Sequence, residues 1–154
     1  MNTSAQHSNV EESGENREFD GLQVIDLKHI DLINGLPGFE HLHAFVLAEL
    51  EGYAPFCAFQ SVDEPDISML MIDAKLLKIW QEVDLPPREL EILGLDNKTD
   101  SKQYVILKVD QGTQEFTANI KAPIVFNPIS GAANQVILDN INLSVEHPLT
   151  NELA

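Results

Sequence analysis

Phe56-Cys57-Ala58-Phe59-Gln60-Ser61-Val62, then Asp63-Glu64-Pro65-Asp66, then Ile67-Ser68-Met69-Leu70-Met71-Ile72 is the stretch whose reading decides the fold. Two apolar runs of strand length flank a polar turn that contains proline, which is the pattern of an antiparallel hairpin. The pattern repeats in both directions. Upstream lie Leu22 to Leu27 and Ala44 to Leu50; downstream lie Tyr104 to Val109, Phe116 to Ile120, Ile124 to Phe126 and Gln135 to Leu138. Asn34-Gly35, Gly52, Gln111-Gly112 and Ser130-Gly131 supply further turns. Short runs punctuated in this way predict a mainly β, antiparallel domain, and a small barrel-like closure is favoured because it leaves few strand edges open. Ser68-Met69-Leu70-Met71-Ile72 shows almost no alternation and reads as a strand covered on both faces.

One helix interrupts the strands. Pro86-Pro87-Arg88-Glu89-Leu90-Glu91-Ile92-Leu93-Gly94 has prolines and an acid in its first turn, Leu90 and Leu93 three apart, and glycine where the chain leaves. It is too short to stand on propensity, so packing of Leu90 and Leu93 must hold it. Ala74 to Trp80 fits either a helical turn or a continuation of the preceding strand. Residues 1–18 carry Glu11, Glu12, Glu15 and Glu18 and almost no large apolar side chain, so they read as a disordered acidic tail ahead of a domain over residues 19–150.

The 154 residues suffice for a single domain, and a domain of that size buries roughly 70% of its unfolded-chain surface. Cys57 is the one cysteine, which excludes an intrachain disulfide. The N-terminus opens polar, without a secretory or membrane-spanning pattern, so a cytoplasmic protein with no membrane partner is expected. The net charge of −16 is uneven: from His29 to Ala74 there is no Lys or Arg against eight acids, and none follows Lys121. Such a surface repels phosphate backbones, so direct nucleic-acid binding is not expected, whereas a basic protein partner is.

Each candidate site has an ordinary structural reading beside the functional one. His41 and His43, with His29 upstream, could begin a zinc or copper set, but without a cysteine cluster or a His-Glu-x-x-His pattern they read as histidines flanking a turn. Asp63, Glu64 and Asp66 lack calcium-loop spacing and read as an acidic turn, with a protein-contacting tip as the functional version. Cys57 sits among Phe56, Ala58 and Phe59 with no cation nearby and reads as a buried, inert thiol. Trp80 reads as core. No Gly-x-Ser-x-Gly elbow and no Walker or dinucleotide glycine pattern is present, so no enzyme, metal or cofactor is expected. The other reading that a β-rich pattern permits is a small-ligand or flavin-binding split barrel. Phosphate-bearing cofactors need cations or helix N-termini, in which this chain is poor.

Taken together, Gly35-Leu36-Pro37-Gly38-Phe39-Glu40, Phe59 to Pro65, Thr117-Ala118-Asn119 with Ala122-Pro123-Ile124-Val125 and Asn127, and His147-Pro148-Leu149 resemble the signature of the bacterial flagellar assembly factor FliW family. The resemblance runs from about Gly21 to Leu149. It implies a cytoplasmic, non-enzymatic protein with a small β-barrel-like fold. Its implied partners are newly made flagellin and CsrA, the RNA-binding regulator that represses flagellin translation, exchanged by partner switching. Position by position it marks Phe39, Glu40, Asp63, Glu64, Asp66, Asn119 and Asn127 as candidate partner-binding residues. Gly35, Pro37, Gly38, Pro123 and Pro128 read instead as backbone geometry. Pro86-Pro87, where a Ser or Asp helix cap is common, and the acidic tail depart from the family pattern. An acidic body with closed edges is expected to be monomeric when free.

Overall fold

The computed structural model describes residues 18, 19, 21–82 and 84–153. Apart from Glu18, the tail predicted over residues 1–18 lies outside the described residues. The strands are β1 (Glu18–Phe19), β2 (Leu22–Leu32), β3 (Ala44–Leu50), β4 (Phe56–Ser61), β5 (Ser68–Asp73), β6 (Lys102–Val109), β7 (Phe116–Ala118), β8 (Ile124–Phe126), β9 (Ala132–Gln135) and β10 (His147–Pro148). Among the described residues one α-helix, α1, spans Pro87–Ile92, and 3-10 turns occupy Ala74–Leu76, Lys78–Glu82 and Lys98–Asp100. The fold is mainly β, as the strand spacing predicts, with one short helix among the described residues.

From β2 to β6 each strand pairs antiparallel with the next. β8 and β7 then share the free edge of β6, β8 pairs with β9, and β9 returns to β2. Strands β2, β3, β4, β5, β6, β8 and β9 thus form a closed ring, with β1, β7 and β10 appended to it. The closing contact is parallel and only two residue pairs long, Asp31 with Ala132 and Leu32 with Ala133. Gly131 makes it feasible: its φ is +83°, and a Cβ there would lie 2.6 Å from the His29 carbonyl oxygen. No side chain fits between these two backbones.

Alternation within the strands sorts the side chains to the inside and the outside of the ring. Inside the ring pack Ile30, Leu32, Phe45, Leu47, Phe59, Met71, Ile124 and Phe126, with Leu36 and Leu42 closing one end. Phe45 and Phe59 stack at 4.6 Å between ring centroids. Outside the ring a second core joins Ile72, Val105, Leu107 and Val125 to Trp80, to Leu90 and Leu93 of α1, and to Leu138, Leu143 and Leu149 of the C-terminal segment. Short α1 is therefore held by the two leucines expected to hold it. Pro86 stands at its N-cap with no side-chain hydrogen bond, and the chain turns away at Gly94.

The largest boundary differences from the sequence reading are in β2 and β9. β2 continues to Leu32 because Lys28, His29 and Asp31, which look like a strand end, keep the pairing with β3. β9 begins at Ala132 rather than Gln135, since the Asn127–Gly131 turn delivers the chain straight onto β2 and β8. Past Gln135 the chain still donates from Val136 to Pro123 and from Leu138 to Lys121, without forming a ladder. In β5 only Met71 and Ile72 are buried in succession, and Leu70 faces outward, exposed. Ala74 to Trp80 resolves into 3-10 turns, the first capped by the Asp73 carboxylate accepting from the Lys75 N–H.

Candidate functional site

The corner between β2 and β3 is rigid for local reasons. Gly35 is buried at φ +67°, and a Cβ there would meet the Glu40 backbone at 2.7 Å. Leu36 plugs the ring, the Phe39 N–H donates to the Leu36 carbonyl at 2.7 Å, and Leu42 donates back to Phe39 at 2.9 Å. Phe39 is left 37% exposed at the tip. The Gly38 N–H donates to the Glu40 carboxylate at 3.1 Å. Backbone hydrogen bonds at Glu40 and Gly38 hold that carboxyl below its ordinary value, so Glu40 is a fixed anion at neutral pH.

The Asp63–Asp66 turn stands beside this corner. Its frame is the Ser61 hydroxyl accepting from the Glu64 N–H at 3.0 Å and the Glu64 carbonyl accepting from the Ile67 N–H at 2.8 Å. Asp63, Glu64 and Asp66 are exposed. His41 Nε2 lies 2.8 Å from a Glu64 carboxylate oxygen and joins the two loops. Phe39, Glu40, Asp63, Glu64 and Asp66, scattered over nearly thirty positions of sequence, thus form one acidic end of the ring with an aromatic tip.

Asn119 and Asn127 do other work. The Asn119 side-chain oxygen accepts from the Ala122 N–H at 3.0 Å, inside its own turn. The Asn127 amide donates to the Leu93 carbonyl at 3.0 Å, and its oxygen accepts from Ile129 at 2.9 Å and Ser130 at 3.3 Å. Asn127 therefore fastens α1 to the loop before β9 and gives that loop its shape. The loop reaches a cleft of about 300 Å³ where Ser130 meets His29, Asp31, His43, Ala44 and Val62. Two exposed apolar residues in this neighbourhood, Val62 and Ile129, were not singled out from sequence. For Ile129, at 96% exposure, the signal was present: an aliphatic residue between Pro128 and Ser130-Gly131 has no strand to belong to.

The remaining candidates are structural. His43 Nδ1 contacts the Leu32 carbonyl at 2.7 Å, and the described residues contain no group of three or more His, Cys, Asp or Glu arranged to hold a metal ion. Cys57 is buried in the ring; burial first, then the charges of Glu49 and Asp73, push its thiol up to about 12, far from a nucleophile at neutral pH. Trp80 is core, its indole N–H donating to Gln103 Oε1 at 2.9 Å. Among the described residues no helix is long and apolar enough to cross a membrane.

Comparison with known proteins places this arrangement. The family model described as FliW protein matches residues 14–149. The flagellar assembly factor FliW of Caldanaerobacter subterraneus subsp. tengcongensis is 34% identical over 120 residues, covering 77% of this chain and 80% of that protein. The protein of the same name from Geobacillus sp. strain WCH70 is 36% identical over 131 residues, covering 83% and 90%. A crystal structure of the flagellar assembly factor FliW superposes with a TM-score of 0.70 at 36% identity, covering 79% of this chain and 84% of that one.

Proposed function

The chain belongs to the FliW family, and on that premise we propose that it is a non-enzymatic, cytoplasmic flagellar assembly factor that binds flagellin and the translational regulator CsrA in alternation. Flagellin export frees the chain, which then captures CsrA and relieves repression of flagellin translation. The observation that carries this reading is the acidic end of the ring, where the corner bearing Phe39 and Glu40 is joined through His41 to the turn bearing Asp63, Glu64 and Asp66, on a chain of net charge −16. An apolar anchor rimmed by carboxylates suits a basic protein partner and not a nucleic acid.

The same charge supplies a mechanism of antagonism. An acidic body docked beside a basic RNA-binding surface raises the cost of bringing an RNA phosphate chain there, even without occupying the RNA site. Partner and RNA are then linked by a coupling free energy. Calorimetric titration with the CsrA and flagellin of the same organism, separately and then in competition, tests the reading. Binding of both with mutual displacement is expected; binding of neither overturns it. The electrostatic version further requires that antagonism of RNA binding weaken as salt shortens the screening length to about 3 Å near 1 M.

A further inference from the structure

The outside of the ring is covered unevenly. α1, the 3-10 turns and the C-terminal segment pack over Ile72 of β5, over β6 and over β8. On β2, β3 and β4 the outward cluster is Val24, Ala48, Leu50 and Ala58, supported by Leu22 and Leu27 of the same strands. Directly paired residues share a face of a sheet. The registers therefore align Leu27, Ala48, Ala58 and Leu70 in one outward row, and His29, Val46, Gln60 and Ser68 in the next. A cleft of about 360 Å³ opens on this face, with Leu22, Leu50, Tyr53, Ala58, Met69 and Leu70 in its wall. Tyr53 is 50% and Leu70 40% exposed.

Charge indicates what this face takes. β3, β4 and β5 lie in the cation-free stretch from His29 to Ala74, where Asp31, Glu51, Asp63, Glu64 and Asp66 stand exposed, and the one cation of β2, Lys28, is held by Asp26 at 2.6 Å. We propose that the cleft at Tyr53 and Leu70, on the outward side of β2–β5, is a docking surface for a basic polypeptide segment bearing apolar side chains. The cleft beside Tyr53 and Leu70 takes an apolar anchor, and the carboxylates take the basic residues. This rests on the partner-binding reading above and adds the face on which the basic partner sits.

Cys57 is buried, so a cysteine introduced at Tyr53 is the accessible thiol of the full chain. The test measures maleimide labelling of Tyr53→Cys with and without purified CsrA, and CsrA affinity of Tyr53→Ala, Leu70→Ser and the control Ile137→Ser, each checked for an unchanged urea midpoint. Ile137 is exposed on the segment beyond β9, which packs over the other side of the ring. Labelling slowed at least tenfold by CsrA, with affinity falling at least tenfold in both cleft variants and not in the control, is the expected result. If wild type binds CsrA while labelling and cleft-variant affinities stay unchanged, the face is wrong and the functional reading stands. If wild type binds neither CsrA nor flagellin, both fall. Protection in the free chain would also overturn the proposal. Were it constant with protein concentration, the face would belong to the chain's own residues 1–17; were it concentration-dependent, to a second copy.

Discussion

Gly35 is where one residue decides the shape of the candidate site. The chain must reverse within the Leu36–Leu42 corner while keeping Leu36 in the ring, and that brings the Glu40 backbone to within 2.7 Å of where a Cβ would stand. Gly35→Ala has to relieve both a left-handed φ and a backbone clash, so a loss of at least about 2 kcal/mol is expected from urea unfolding. Gly38→Ala meets only the φ, since nothing lies within 4 Å of its Cβ direction, and should cost about 1 kcal/mol. Equal losses in the two would show that the close approach to Glu40 is not what fixes the corner. At this scale the sequence was partly legible. The Gly-Leu-Pro-Gly-Phe string announces a tight corner that ends on Phe39, and that corner is found. That Asn119 and Asn127 are committed to their own loops was not readable, because the partners of a turn asparagine are set by which loops the sheet brings together.

Elements are held by what they pack on, and α1 shows it most simply. Six residues without a side-chain N-cap have little stability of their own, yet Leu90 is buried against β-strand residues of the outer core. Leu90→Ala is expected to cost about 2–5 kcal/mol, while Ile92→Ala, on the exposed side of the same helix, should stay within about 0.5 kcal/mol. A chemical-denaturation pair measures both. The C-terminal segment is fastened differently. Glu152 accepts from the Ile79 N–H at 3.0 Å and lies 2.8 Å from His147 Nε2, its side chain only 15% exposed. Burial pushes this carboxyl up, but the hydrogen bonds from His147 and Ile79 outweigh it and the net displacement is downward. A carboxyl depressed in the folded state contributes stability that is complete above its unfolded pKa and disappears as pH falls through the folded value. Wild type should exceed Glu152→Gln by about 1 kcal/mol at pH 7, and the gap should close below pH 4.5, the carboxyl's ordinary value. A gap that does not narrow at all as pH falls below 4.5 would assign the effect to packing rather than charge. Strand runs were legible wherever apolar residues were continuous, as in Ala44–Leu50 and Ile124–Phe126. They were not legible where β2 carries charge inside a paired strand, or where β9 owes its start to a turn.

For the molecule as a whole, closure of the ring gathers into one surface what the chain keeps apart, and charge is the property most changed by that gathering. The β2–β5 half of the ring holds the cation-free stretch, so carboxylates from the Leu36–Leu42 corner and the Asp63–Asp66 turn face solvent together with no Lys or Arg among them. A closed, β-rich outline could be read from strand spacing, whereas the parallel β2–β9 contact that closes it could not. It depends on one glycine's fit against the His29 backbone. Replacing Asp63, Glu64 and Asp66 together by Lys changes the formal charge by six, to −10. The three side chains are exposed and the one ion pair lost, His41 with Glu64, is solvent-facing, so the unfolding midpoint should stay within about 0.5 kcal/mol of wild type. Binding of CsrA should weaken by more than about tenfold near 50 mM salt, chiefly through a slower association rate. The deficit should shrink as salt shortens the screening length from about 10 Å at 0.1 M to about 3 Å at 1 M. Stopped-flow association of both proteins across a salt series measures this directly. Wild-type affinity in the triple Lys variant would remove the acidic turn from the interface, and a deficit that salt leaves untouched would make its contribution steric rather than electrostatic.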